Sequence, residues 1–401
     1  MQFIYRAATD SGQVIEGIYE ANSEQEVLTM LRSNEYIPIS IEHKVEEKPV
    51  SSYFMKKVTK KDIAVYCRQF YTMLNAGVTI IKCLDILEAQ TENKLLKNAT
   101  KYTYANVQKG MTLSEAMQIH KKIFPSLLVN MVEAGEVSGS LDVIMERMAT
   151  HYGKENKIEN KIRGAMIYPI IVGVVSTAVV IFLLVAVMPT FIGIFEGSGV
   201  ELPTPTRILL NISNSLKDKW YIYVAFILTL ILGTGYFIRQ ESGKLFVDSL
   251  KLRIPIVKDT NIKIATSRFT RTLSILLSSG IPLLEGLDIV ARIINNKFLS
   301  IKIENAKDEV RKGVPLSRAI KEIGIFPPML DSMVKIGEES GSLDDILSRS
   351  ADFYDEELEV SIQKMTEMLQ PILIVFMALV VGFIVLAMAL PMFDMVNIVQ
   401  M

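Results

Sequence analysis

Histidine, cysteine and tryptophan are scarce in this chain: three, two and one among 401 residues. The two cysteines, Cys67 and Cys83, lie 16 positions apart inside helical patterns, so neither a disulfide framework nor a thiolate metal cluster can be built from them. Both are expected to be buried apolar residues of a reducing compartment. His43, His120 and His151 stand alone, without the spacing of a zinc pair, and are expected at the surface. No G-x-x-x-x-G-K-[ST] run is present to hold ATP phosphates. Gly135-Glu136-Val137-Ser138-Gly139 is not G-x-S-x-G, which excludes a hydrolase elbow. An excess of either charge is also missing. The net charge of −1 argues against a polyanion binder, so no nucleic-acid partner is expected. No catalytic constellation, cofactor motif or metal site emerges, and the opening Met1-Gln2-Phe3-Ile4-Tyr5-Arg6 predicts no cleaved signal peptide.

What is abundant is apolar sequence. Half the residues are hydrophobic while 22% are charged, so polar and lipid-embedded parts must alternate. Three stretches carry no charge over a bilayer-spanning length: Ala165–Phe195, Trp220–Ile238 and Leu369–Phe393. Pro169 and Pro371 are expected at helix entries, where a missing N–H costs little; Pro189 and Pro391 are expected to end or kink the helices near their exits. The rival from another class is a membrane transporter or channel subunit, which usually buries ionisable groups along its pathway. None of the three stretches holds one. An intramembrane protease fails on the same ground, since Asp394 lies past the third stretch without a partner.

The second half of the chain repeats the first. Gly135-Glu136-Val137-Ser138-Gly139-Ser140-Leu141-Asp142 recurs 202 positions later as Gly337-Glu338-Glu339-Ser340-Gly341-Ser342-Leu343-Asp344. The same offset carries Phe124-Pro125, Pro169 and Pro189 onto Phe326-Pro327, Pro371 and Pro391; upstream, Gly77 and Gly110 match Gly280 and Gly313 at an offset of 203. The chain is therefore two copies of one unit, each a polar part feeding a membrane helix. The expected class is mostly α, polytopic, with two tandem six-helix-type cytoplasmic bundles, three transmembrane helices and a small N-terminal α/β domain. The expected boundaries are an α/β domain over 1–45, a linker over 46–61, bundles over 62–164 and 266–368, and transmembrane helices over 165–195, 220–238 and 369–393. The remaining segments are an outer loop (196–219), a connector (239–265) and an outer tail (394–401).

In the first segment, two apolar runs flank Asp10-Ser11-Gly12 as a hairpin, Ser23 to Glu26 is a capping box, and Tyr36–Ile41 is a third strand. In the bundles, Ile63, Tyr66, Cys67, Phe70 and Leu74 fall at helical spacing, and Ser140 and Ser342 suit N-caps. Lys154, Lys157, Lys161 and Arg163 precede the first apolar helix, and Arg239, Lys244, Lys251 and Arg253 follow the second. The positive-inside rule places both bundles in the cytoplasm, with the N-terminus inside and the C-terminus outside.

The candidate site is the duplicated corner Gly135, Glu136 and Gly139 with Gly337, Glu338 and Gly341. Each glutamate is expected either to bond free backbone N–H groups at a tight helix corner, or to meet a partner or a cation between subunits.

The ordered marks are Arg68-Gln69-Phe70 with Ala76-Gly77, Phe124-Pro125, Gly135-Glu136 with Gly139, and Tyr168-Pro169. They continue with Leu202-Pro203-Thr204-Pro205-Thr206, Arg271-Thr272-Leu273, Gly280-Ile281-Pro282, Gly337-Glu338-Glu339-Ser340-Gly341 and Leu390-Pro391. Together they resemble the PilC/GspF family, the inner-membrane platform proteins of type IV pilus and type II secretion machines. The resemblance implies a non-enzymatic scaffold of the inner membrane, commonly a dimer. Its implied partners are a hexameric assembly or retraction ATPase on the cytoplasmic side, pilin or pseudopilin subunits, other inner-membrane assembly proteins, and the bilayer. Gln370 departs from the glutamate usual before Pro371.

Overall fold

The computed structural model describes residues 2–8, 14–21, 24–33, 36–43, 56–190 and 203–399, in two units divided after Lys57. The first unit holds strands β1 (Gln2–Ala8) and β2 (Val14–Glu20), helix α1 (Glu24–Ser33) and strand β3 (Ile37–His43). β1 is central and antiparallel to both neighbours. Ala7, Val27 and Leu31 are fully buried, so α1 closes one face of this sheet. Asp10-Ser11-Gly12, Ser23 and most of the 46–61 segment lie outside the described residues.

The second unit is helical. Its first copy runs α2 (Lys60–Asn75), α3 (Ile80–Gln90), α4 (Lys94–Gln108), α5 (Leu113–Gln118), α6 (Ser126–Ser138) and α7 (Leu141–Phe182), which continues through a π turn at Leu183–Val187. Then come α8 (Thr204–Asp218), α9 (Trp220–Arg239) and α10 (Glu241–Lys251). The second copy runs α11 (Pro255–Ser278), α12 (Leu283–Ile293), α13 (Lys297–Arg311), α14 (Leu316–Ile323), α15 (Pro328–Ser340) and α16 (Leu343–Val399).

Local chemistry sets these boundaries. Thr59 and Asp62 form a reciprocal capping box that starts α2, and Ile63, Tyr66, Cys67 and Phe70 bury one stripe of it. The chain leaves α2 at Gly77 and α11 at Gly280 with φ of 80° and 82°, a left-handed turn that a side chain would strain. The one-residue change of offset falls between α5 and α6, where the second copy has a longer α14 ending at Gly324 in a left-handed cap. Buried residues of both copies, from Ile63 to Tyr354, form one continuous apolar cluster. Cys67 and Cys83 are buried in it as free thiols.

Three helices are long and apolar enough to cross a membrane, within Leu141–Thr190, Trp220–Arg239 and Leu343–Leu390. The first and third are continuous with the last helices of the two copies. The prolines therefore sit differently from expectation. Pro169 and Pro371 are inside α7 and α16, not at helix entries. Each removes one N–H, but the hydrogen bonds of the adjoining turns carry the helix through. Pro391 does not end α16, which runs on to Val399. Pro189 follows the π turn, where Met188 donates its N–H five residues back to the Leu183 carbonyl. The expected outer loop over 196–219 contains the amphipathic helix α8, which buries Thr206, Leu209 and Ser213.

Candidate functional site

The duplicated corner is built the same way twice. Gly135 lets α6 approach α7: a Cβ there would lie 3.2 Å from Leu141 Cα and 2.9 Å from Ile144 Cγ1. At Gly337 the matching contact is 3.0 Å to Leu343 Cα. The last glycine of each motif serves the turn instead. Gly139 and Gly341 close α6 and α15 in the left-handed region, at φ of 70° and 69°.

Each glutamate reaches back to a helix more than twenty residues upstream. Glu136 accepts from the backbone N–H groups of Leu113 and Ser114, at 2.5 and 2.9 Å. Glu338 accepts from those of Leu316 and Ser317, at 2.5 and 3.0 Å. A carboxylate bridging two free N–H groups at a helix start satisfies both donors and meets the positive end of the helix dipole. The acceptor side of the corner is thus occupied from within. Its outward residue differs between copies: Val137, 88% exposed, in the first, and the exposed Glu339 in the second. Ser140 and Ser342 do not cap α7 and α16 with their side chains. Each hydroxyl instead pairs at 2.7 Å with the serine two residues before it, Ser138 or Ser340.

A second constellation joins the copies. Glu155 on α7 is gripped by Arg268 on α11, Nε to Oε1 at 2.8 Å and Nη2 to Oε2 at 3.0 Å, and is also paired with Lys60 on α2. Burial opposes its ionisation, but the two cations outweigh that and hold its carboxyl down at about 2. The Lys60–Glu155 pair recurs as Lys263–Glu357 at 3.0 Å, on α11 and α16. Arg268 makes the arrangement lopsided, because it reaches from the second copy to the acid of the first and its own equivalent position in the first copy is Val65. Around it, Lys154 meets Asp352 at 2.6 Å, Lys157 meets Glu359 at 3.2 Å, and Arg271 meets Asp352 at 3.1 Å and Asp355 at 2.5 Å. The sequence of these pairs makes α7 and α16 run parallel.

His151 lies beside this network and is buried, contrary to the expected surface position. It falls on the inward stripe of α7 with Met148, Tyr152 and Glu155, and its Nδ1 has no hydrogen-bond partner among the described residues. Burial pushes its imidazole down to about 4, so it is neutral at pH 7. A cleft of about 280 Å³ opens here, lined by Lys60, His151, Glu155, Arg268 and Asn295 among others. Among the described residues, no group of three His, Cys, Asp or Glu side chains is placed to hold a metal ion. The ion network was not singled out by sequence reasoning. The signal was present, because Lys60 and Glu155 are matched by Lys263 and Glu357 at the two repeat offsets.

Comparison with known proteins decides the family. The family described as type II secretion system (T2SS), protein F, matches residues 66–189 and again 269–391, and its N-terminal domain matches residues 1–42. The chain belongs to the type II secretion system protein F family. Within it, the type IV pilus assembly protein PilC of Thermus thermophilus is 37% identical over 397 residues, covering 98% of both chains. PilC of Myxococcus xanthus is 34% identical over all of this chain and 96% of its own. Type II secretion system protein F of Vibrio cholerae is 31% identical, covering 99% of both. The two protein F matches coincide with the two helical copies and include both Gly-Glu corners and all four membrane-helix prolines. Membership and the three apolar helices fit an inner-membrane protein of pilus or secretion machinery.

Proposed function

We propose that this protein is the inner-membrane platform on which a type IV pilus or a secretion pseudopilus is assembled, linking a cytoplasmic hexameric ATPase to the extraction and polymerisation of pilin subunits. The observation that carries the reading is mechanical. In each copy the last bundle helix runs without a break into an apolar helix, so a displacement of the bundle is delivered directly into the bilayer. Duplication supplies two such rods side by side, with α9 returning the chain between them.

In this reading residues 1–45 form a small α/β domain that, with both bundles, lies in the cytoplasm, while α8 and the C-terminus lie outside, following the cluster from Lys154 to Arg163 before the first apolar helix. The assembled platform is a homo-oligomer, commonly a dimer in this family. The exposed Val137 and Glu339 of the two corners face partners, while Glu136 and Glu338 hold the corners in shape.

The test is a strain lacking the gene, scored for filaments by electron microscopy and for processed pilin by immunoblot. Loss of filaments while processed pilin accumulates in the membrane is expected. Normal filaments would remove the pilus branch and leave secretion as the alternative to examine.

A further inference from the structure

Helix α8, which opens Thr204-Pro205-Thr206, packs against the turns that precede Pro189 and Pro391. A proline has no N–H, so within a helix the carbonyl four residues before it loses its donor, and the ring pushes that carbonyl outward. For Pro391 that carbonyl is Ala387, fully buried in α16. At the end of α7 the Met188 N–H is drawn to Leu183, which skips the Leu184 carbonyl. The next residue, Pro189, has no N–H to offer in its place. Two buried carbonyls are thereby left without backbone donors, in surroundings where an unpaired polar group is costly.

Both are filled from α8. Thr206 Oγ1 donates to the Ala387 carbonyl, and Ser213 Oγ donates to the Leu184 carbonyl at 2.6 Å. Thr206 and Ser213 are two helical turns apart, on one face with Leu209, and all three are at most 5% exposed. Leu209 packs into a cluster with Leu184, Met188, Ile384 and Ala387. The Pro-Thr-Pro-Thr start suits this placement. Pro205 lies in the first turn of α8, where its missing N–H has no intrahelical use, and its fixed φ starts the helix that aims Thr206.

We propose that α8 is a hydroxyl clasp: Thr206 and Ser213 occupy the two carbonyls that Pro391 and the π turn before Pro189 leave open, and so fix the first and third apolar helices against each other. The prolines and hydroxyls form one device, in which the prolines create the acceptors and α8 supplies the donors. Separating the two helices pulls α8 from one of them and leaves that helix's carbonyl without its donor.

The test is a double-mutant cycle on the purified full chain in detergent, unfolded by SDS titration and followed by helical circular dichroism. The sole tryptophan, Trp220, two residues beyond α8, gives a local second reading. Thr206→Val and Ser213→Ala are each expected to shift the unfolding equilibrium roughly three- to fifteen-fold toward the unfolded state, the range of buried hydroxyl bonds between membrane helices. Thr206→Ser, which keeps the hydroxyl, stays near the parent. Pro391→Ala returns an N–H to the Ala387 carbonyl, so in that background Thr206→Val loses most of its effect while Ser213→Ala keeps all of it. If Thr206→Val costs the same with and without Pro391, or costs nothing, the clasp is wrong. Should Thr206→Val fail to accumulate, recovery of accumulation in Thr206→Val/Pro391→Ala carries the same meaning, and no recovery overturns it.

Discussion

The two copies share a helix order and a corner, yet they keep their polar groups in different places. In the first copy the seam between α2 and α7 is mainly apolar, built on Ile63, Tyr66, Cys67 and Phe70, with its ion pairs gathered at Lys60. Between α11 and α16 it is threaded with hydroxyls: Ser267 donates to Asp355, Ser274 to the Asp344 carbonyl at 2.8 Å, and Ser361 to Asp259 at 2.6 Å. The buried acid shows the contrast best. Glu155 has an 11% exposed side chain and two cations, whereas its counterpart Glu357 is 41% exposed and paired with Lys263. A fold can be duplicated while the energetic weight of equivalent residues moves from one copy to the other.

That contrast predicts unequal mutations at equal positions. Removing Glu155 takes the carboxylate from Arg268 in a largely buried junction and leaves Lys60 with Glu159 alone, so Glu155→Ala is expected to cost about 3 kcal/mol, as breaking a buried pair does. Glu357→Ala leaves Lys263 with Asp259 and is expected to cost under about 1 kcal/mol, in the range of exposed pairs. Denaturation of the two purified full-length variants measures both. Equal losses would show that the copies carry the same load.

The corners sharpen the comparison in the opposite direction. The start of α5 is also capped by Thr112 and Glu115, but α14 begins after Pro315, which offers no side-chain bond. Glu338→Ala is expected to destabilise by about 2 kcal/mol and Glu136→Ala by about 1 kcal/mol, since only the second copy loses its sole side-chain acceptor there. The same denaturation assay ranks them, and the reverse order would contradict the capping account.

The smallest effect is a slope. His151 occupies the position of Phe353 in the second copy. Its folded value of about 4 lies below the ordinary 6.5, so the unfolded chain binds the extra proton between these values. Stability from this group is complete above about pH 6.5 and is lost as the pH falls toward 4. His151→Phe is expected to flatten the stability profile over that window. An unchanged slope would mean that the imidazole is not buried neutral.

Much of this was legible in the sequence because duplication made it so. Two Gly-Glu corners, two sets of prolines and three charge-free runs mark the helices and their order. What escaped was tertiary. Glu136 sits between two glycines, but the N–H groups it serves belong to Leu113 and Ser114, and no local rule connects them. Pro169 reads as a boundary because proline disfavours helix, yet α7 passes straight through it. The segment over 196–219 reads as a loop because its prolines mask a helix whose stripe is only Thr206, Leu209 and Ser213. Arg268 has no counterpart in the first copy, where Val65 stands three residues before Arg68, so the repeat could not point to it.

The pairing of Lys157 with Glu359 has a consequence for how copies can associate. The two residues occupy the same place in their respective halves, 202 positions apart. In a symmetric dimer of identical halves, a residue near the axis faces itself, and a lysine there would confront another lysine. Here one half has kept lysine and the other glutamate, with Lys161 converging on the same carboxylate. The two equivalent positions are thus a lock and its key within one chain. First halves of two molecules that met by this face would repel, and so would two second halves. Within the chain the two faces close on each other, each supplying the charge that the other lacks.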